Sequence, residues 1–167
     1  MKDILQDIVK HTHGLGFLDL VKITGDSNQT AIDSMAEDRS VILQGTFNKP
    51  QTEMVGTFGM PQLNKLDIHL KCPEYKEKAK ITVTKGTRNN VEEPTGIHFE
   101  NEKGDFKNDY RFMNAEIINE KLKTVKFKGV KWDVDIEPTV ANVQRFNFQS
   151  IANTCLLYTS PSPRDRG

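Results

Sequence analysis

The chain has 167 residues, of which 36% are apolar and 28% charged, and Lys plus Arg equals Asp plus Glu at 23 each. That length allows one domain or one and a half, with a core that needs neither disulfide nor metal. No apolar run approaches the ~18 residues of a membrane span, and Met1-Lys2-Asp3-Ile4-Leu5-Gln6-Asp7 carries acids where a leader carries bases. The expectation is a cytoplasmic protein (host bacterial cytoplasm if viral) with no membrane partner. Charge neutrality means that any nucleic-acid role must rest on a local basic surface.

Ile4, Leu5, Ile8 and Val9 recur at helical spacing and predict a helix over 3–10 that ends at Gly14 and Gly16. Phe17 to Ile23 is expected as a strand and Gly25-Asp26-Ser27-Asn28 as a turn. Thr30 to Met35 alternates loosely before a second turn at Glu37-Asp38-Arg39. Ser40 to Phe47 reads as a strand stopped by Asn48-Lys49-Pro50, and Thr52 to Phe58 as a shorter fourth. Pro61 suits the first position of a second helix, with Leu63, Leu66, Ile68 and Leu70 as its apolar side, Lys65 and Lys71 off it, and Pro73 as its stop. Lys80 to Lys85 alternates with Ile81 and Val83 inward, and Thr87 to Glu93 reads as a polar loop. Thr95 to Glu100 and Phe106 to Met113 are expected to pair across Asn101 to Asp105. Asn114 to Thr124 carries a third helical pattern in Ile117, Ile118 and Leu122. Trp132, Val134 and Ile136 alternate in an expected strand region, and Thr139 can cap a last helix bearing Val140, Val143, Phe146 and Phe148. Helices separated by runs of strands predict an α+β fold with antiparallel sheets.

Side chains able to do chemistry are scattered. His11 and His13 flank Thr12, but no third zinc ligand stands at a suitable spacing, and a histidine at a helix end satisfies free carbonyls instead. Glu92-Glu93 and the Asp133/Asp135 pair read as solvated carboxylates, since nothing marks a pocket that would part their pKa values. Gly14-Leu15-Gly16 follows a helix and precedes a strand, the reverse of a dinucleotide cradle. Cys72 reads as a passive thiol. The expectation is a protein that is not an enzyme, with no catalytic residue, cofactor or metal. The strongest local feature is basic: Lys121, Lys123, Lys126, Lys128 and Lys131 follow one another with no acid between them. Such a run is either a solvated face or a set of phosphate contacts. Lys2, Lys10, Lys65 and Lys71, on the polar sides of the first two helices, add weight to the second reading. Phe127 is the one aromatic in the run, so contact with a nucleic-acid backbone is expected without base stacking.

Two resemblances follow. Cys155-Leu156-Leu157-Tyr158-Thr159-Ser160-Pro161-Ser162-Pro163-Arg164-Asp165 resembles the translated end of a transposase-library sequencing adaptor. Residues 155–167 are therefore expected to be an artefact, Cys155 not to be native, and the natural chain to continue past Thr154. A chain cut there is expected to leave Phe146 and Phe148 uncovered and to dissolve poorly. The second resemblance is to the DNA sliding clamps of phages, the polymerase processivity factors. It is carried by Ile8-Val9-Lys10-His11-Thr12-His13-Gly14-Leu15-Gly16-Phe17 running into Val21-Lys22-Ile23-Thr24-Gly25, and by Phe58-Gly59-Met60-Pro61-Gln62-Leu63-Asn64-Lys65-Leu66. Tyr110-Arg111-Phe112-Met113 and Leu122-Lys123-Thr124-Val125-Lys126-Phe127-Lys128-Gly129 complete it.

The resemblance implies a clamp fold, with antiparallel sheets outside and helices lining a central hole, closed as a homotrimeric ring. It implies a first clamp domain over 1–113, an interdomain crossover over 114–124 and the start of a second domain over 125–154. The implied function is to encircle double-stranded DNA without sequence specificity and tether the replicative DNA polymerase, with a clamp loader as second partner. Lys2, Lys10, Lys65, Lys71 and Arg145 are the implied DNA-facing residues, with Lys121 and Lys123 a further pair at the crossover. The alternatives are a small nucleic-acid-binding protein that forms no ring, or a structural or interaction protein of a phage.

Overall fold

The computed structural model describes residues 1–76, 78–88, 91–123, 129 and 131–152, with the backbone alone at 88 and 91. Expectations that fall on Lys126, Phe127, Lys128 and the 155–167 tail lie outside the described residues. The chain divides into two units, Met1–Val125 and Lys126–Gly167.

The first unit opens with helix α1 (Lys2–His11), which forms because Leu5, Ile8 and Val9 share one side and are buried. Buried Thr12 ends it, donating its hydroxyl to the Ile8 carbonyl at 2.6 Å. A 3₁₀ turn at His13–Leu15 closes on Gly16, whose φ of 89° suits a residue without a Cβ. Strands β1 (Leu20–Gly25), β2 (Thr30–Met35), β3 (Ile42–Thr46) and β4 (Gly56–Pro61) then form one antiparallel sheet in the order β3-β2-β1-β4. The Asp26 carboxylate closes the β1–β2 turn by accepting from the amides of Asn28 and Gln29 at 2.7 and 2.8 Å.

Helix α2 (Leu63–Lys71) follows β4, and β5 (Lys80–Arg88), β6 (Val91–Glu100) and β7 (Lys107–Arg111) form a second antiparallel sheet in chain order. A helix leading into a three-strand meander thus occurs twice, as α1 with β1-β2-β3 and as α2 with β5-β6-β7. The two sheets meet where Gly59 of β4 and Met113 exchange backbone hydrogen bonds at 2.7 and 2.8 Å. One core serves both repeats: Leu5, Ile8 and Val9 of α1 and Leu63, Leu66 and Leu70 of α2 pack with Val21, Ile23, Phe58, Met60, Ile97, Phe99 and Tyr110. Because strand residues alternate between faces, Gly59 points away from that core. Helix α3 (Ala115–Lys121) lies there, with Ile118 filling the space where a Gly59 side chain would stand. Asn114 caps α3 by accepting from the Ile117 amide at 2.9 Å.

In the second unit, helix α4 (Val140–Ala152) starts as expected: the Thr139 hydroxyl oxygen accepts from the Asn142 amide at 3.3 Å. Val140, Val143, Phe146, Phe148 and Ile151 are all exposed. Residues 129 and 131–139 carry no strand, and Trp132, Val134 and Ile136 are exposed, so the expected alternating strand does not form there.

Other expectations are corrected within the first unit. The first strand begins at Leu20, leaving Phe17 in the approach to it and half exposed. Thr52–Met54 is a 3₁₀ turn that buries Met54, and the fourth strand runs instead over Gly56–Pro61. Pro61 therefore ends a strand where the first position of a helix was expected, and α2 starts two residues on, after Gln62 at φ 54°. Ile68 is exposed, because the 3.6-residue period aligns Leu63, Leu66 and Leu70 and turns position 68 outward. The polar loop expected over Thr87–Glu93 is the tip of the β5–β6 hairpin, where Thr87 pairs with Glu92 and Gly86 with Glu93.

Candidate nucleic-acid interface

Helices α1 and α2 lie side by side over the core, and their outer sides carry the charge. On α1 the exposed residues are Asp3, Gln6, Asp7, Lys10 and His11; on α2 they are Asn64, Lys65, Ile68 and Lys71. Lys2 does not face outward freely: its Nζ donates to the carbonyls of Tyr75 and Lys76 at 2.6 and 3.2 Å, tying α1 to the turn that follows α2. Lys10 and Lys65 are exposed, and among the described residues neither side chain makes a hydrogen bond or ion pair. Lys71 pairs with Asp67 one turn back, Nζ to Oδ2 at 2.5 Å. The face is thus only mildly positive, its lysines interleaved with Asp3, Asp7 and Asp67.

A groove of about 520 Å³ runs between the last turns of the two helices. Gln6, Val9, Lys10 and His13 line one side, and Asp67, Leu70 and Lys71 the other. His13 stands 3.8 Å from the Asp19 carboxylate. The structure therefore brings Lys10 and Lys71 to one groove, with Lys65 on the exposed side of α2. Lys121 and Lys123 are elsewhere: Lys121 ends α3 and Lys123 follows it, on the opposite side of the first sheet. Lys123 borders a small groove there with Asp33, Met35, Ile42, Gln44 and Leu122. Arg145 is exposed on α4 of the second unit, and Lys131 is exposed ahead of it.

The remaining reactive side chains stay apart. His11 is spent on its own helix, its Nδ1 meeting the Asp7 carbonyl at 3.0 Å and the Asp7 carboxylate at 3.2 Å. His98 lies on the sheet β5-β6-β7, its Nδ1 2.7 Å from Asp109 and its Nε2 3.5 Å from Glu100. Cys72 is a half-buried free thiol against the core. A second groove, about 550 Å³, lies between α1 and β3 and is floored by Ile8, Ile32, Leu43 and Phe47. Asp67 is a groove member absent from the sequence-based expectations, and His13 enters them only as a zinc ligand without partners or a helix-end group. The Asp67 signal was legible, since an acid four residues before a lysine on a helix pairs with it.

The sequence matches no protein-family profile and no curated protein. No described helix is long and apolar enough to cross a membrane.

Proposed function

We propose that this chain is a subunit of a DNA sliding clamp, a ring that encircles duplex DNA and tethers the replicative polymerase without chemistry of its own. The observation that carries the reading is the repeated helix-plus-meander, which sets α1 and α2 together on one face of antiparallel sheets while α3 takes the other face. Two such helices per domain are what a ring needs to line its hole, with sheets left to form the outside. Lys10, Lys65 and Lys71 meet backbone phosphates in this reading, and Arg145 does the same from the second unit. The sparse, interleaved charge fits sliding, because each phosphate neutralised adds to affinity and a many-contact grip would stop motion.

Lys121 and Lys123, on the α3 side, belong in this reading to partner contact. The ring is a homotrimer.

The test is retention on DNA. The protein is assembled on nicked circular duplex with polymerase and loader, isolated by gel filtration, and the circle is then cut. Retention on the circle and loss after cutting is the expected result. Equal retention on both forms favours the nucleic-acid binder that makes no ring. Indifference to DNA at low salt favours a structural or interaction protein.

A further inference from the structure

The groove between α1 and α2 has matched sides that differ in charge at one position. Leu5, Gln6, Val9 and Lys10 on α1 have the same spacing as Leu66, Asp67, Leu70 and Lys71 on α2. Leu5, Val9, Leu66 and Leu70 are buried, and Lys10 and Lys71 are exposed. Residues four apart on a helix stand one above the other, so Gln6 stands to Lys10 as Asp67 stands to Lys71. The chemistry of the two pairs is different. Gln6 is neutral, and Lys10 is left with no ionic partner among the described residues. Asp67 holds Lys71 at 2.5 Å, and its side chain is only 20% exposed against 75% for Lys71. The carboxylate is set into the groove wall and cannot swing fully into solvent, whereas the ammonium can leave.

We infer that Asp67 is a built-in competitor for Lys71 that limits how tightly the groove holds backbone phosphates. The inference rests on the clamp reading and names the residue that sets the strength of its DNA contact. A phosphate entering the groove meets Lys10 as a free cation. It gains Lys71 only by taking it from Asp67, and it then faces the Asp67 charge at close range. The contact is therefore made and broken cheaply, as a sliding surface requires, while Lys71 stays available at every step.

The experiment measures binding of the full chain to a short blunt duplex by fluorescence anisotropy over a series of salt concentrations. Asp67→Asn is expected to tighten binding about fivefold, the upper range for releasing an exposed ion pair. It should also steepen the salt dependence by about 0.9 in log–log slope, one added phosphate contact. Lys71→Gln placed in the same chain should abolish both gains. A folded Asp67→Asn protein with unchanged affinity and slope overturns the inference.

Should Asp67→Asn fail to fold by circular dichroism, Gln6→Asp decides. That exposed substitution gives Lys10 the same counterion, and it is expected to weaken binding severalfold; unchanged affinity overturns the inference. A different pattern sinks the clamp reading itself: no binding at low salt, or binding indifferent to Lys10→Gln and Lys65→Gln. Binding that responds to Lys10→Gln but not to the acid substitutions sinks the competitor role alone.

Discussion

Tyr110 and His69 set opposite pH limits on stability. The Tyr110 hydroxyl donates to the Pro61 carbonyl at 2.6 Å, joining β7 to the end of β4. Burial, with a smaller contribution from the Asp19 charge, pushes its phenol well above the ordinary value. The folded state thus keeps a proton that the unfolded chain gives up near pH ~10. Stability from this group is full below that pH and is lost as pH rises through it. His69, tilted against Phe99 at 5.2 Å, is pushed below its ordinary value by burial. Its share of stability is full above about pH 6.5 and is lost as pH falls through that value, when the unfolded chain takes the proton first. Urea denaturation across pH is expected to show both declines. Tyr110→Phe should remove the alkaline decline while lowering the neutral plateau by about 1 kcal/mol, the worth of one hydrogen bond. An alkaline limb that survives in Tyr110→Phe would assign it to another group.

The close approach of α3 to β4 is an element-scale feature that hangs on one glycine. A Cβ at position 59 would lie 2.8 Å from Ile118 Cδ1 and 2.9 Å from its Cγ1, so that the Ile118 side chain or one of the two elements must shift. Gly59→Ala is expected to cost about 1–3 kcal/mol by overpacking. Ile118→Ala in the same chain should cost less than the two single changes added, because the smaller residue makes room. Strict additivity in that double-mutant cycle would mean that the two residues do not meet. The elements best read from sequence were those with a regular period: α1 and α2, which bury one side, and the body of β3 and β5, where partly buried and exposed residues largely alternate. The errors fell where pairing overrode local preference. Gly59-Met60-Pro61 has poor strand character, yet it is held by β1 along its length and by Met113 at Gly59. The β5–β6 tip is solvated around Thr87 and Glu92, so no alternation marks it and only backbone pairing extends the strands.

Over the whole molecule the formal charges cancel, and at the α1/α2 face pairing leaves few lysines for a polyanion. Lys2 is held by carbonyls and Lys71 by Asp67, so Lys10 and Lys65 are the free lysines of the α1/α2 face. The unaltered chain is therefore expected to bind linear duplex weakly, with a log–log salt slope of about −2 from this face. A slope near −5 would mean that the basic run after α3 also reaches the backbone. The second unit adds α4, whose exposed Val140, Phe146, Phe148 and Ile151 make an apolar surface.

The sequence by itself determined the α+β class with antiparallel pairing, most of the helix and strand positions, the Thr139 cap and the lysines of the two paired helices. These follow from periodicity, turn residues and caps, which act over a few neighbouring residues. The tertiary structure alone decided that Lys10 and Lys71 share a groove while Lys121 and Lys123 lie on the other side of the sheet. It also decided that Lys2 is tied to carbonyls more than seventy residues away. Those facts depend on which strands pair and which face each helix covers, and no local pattern carries that information.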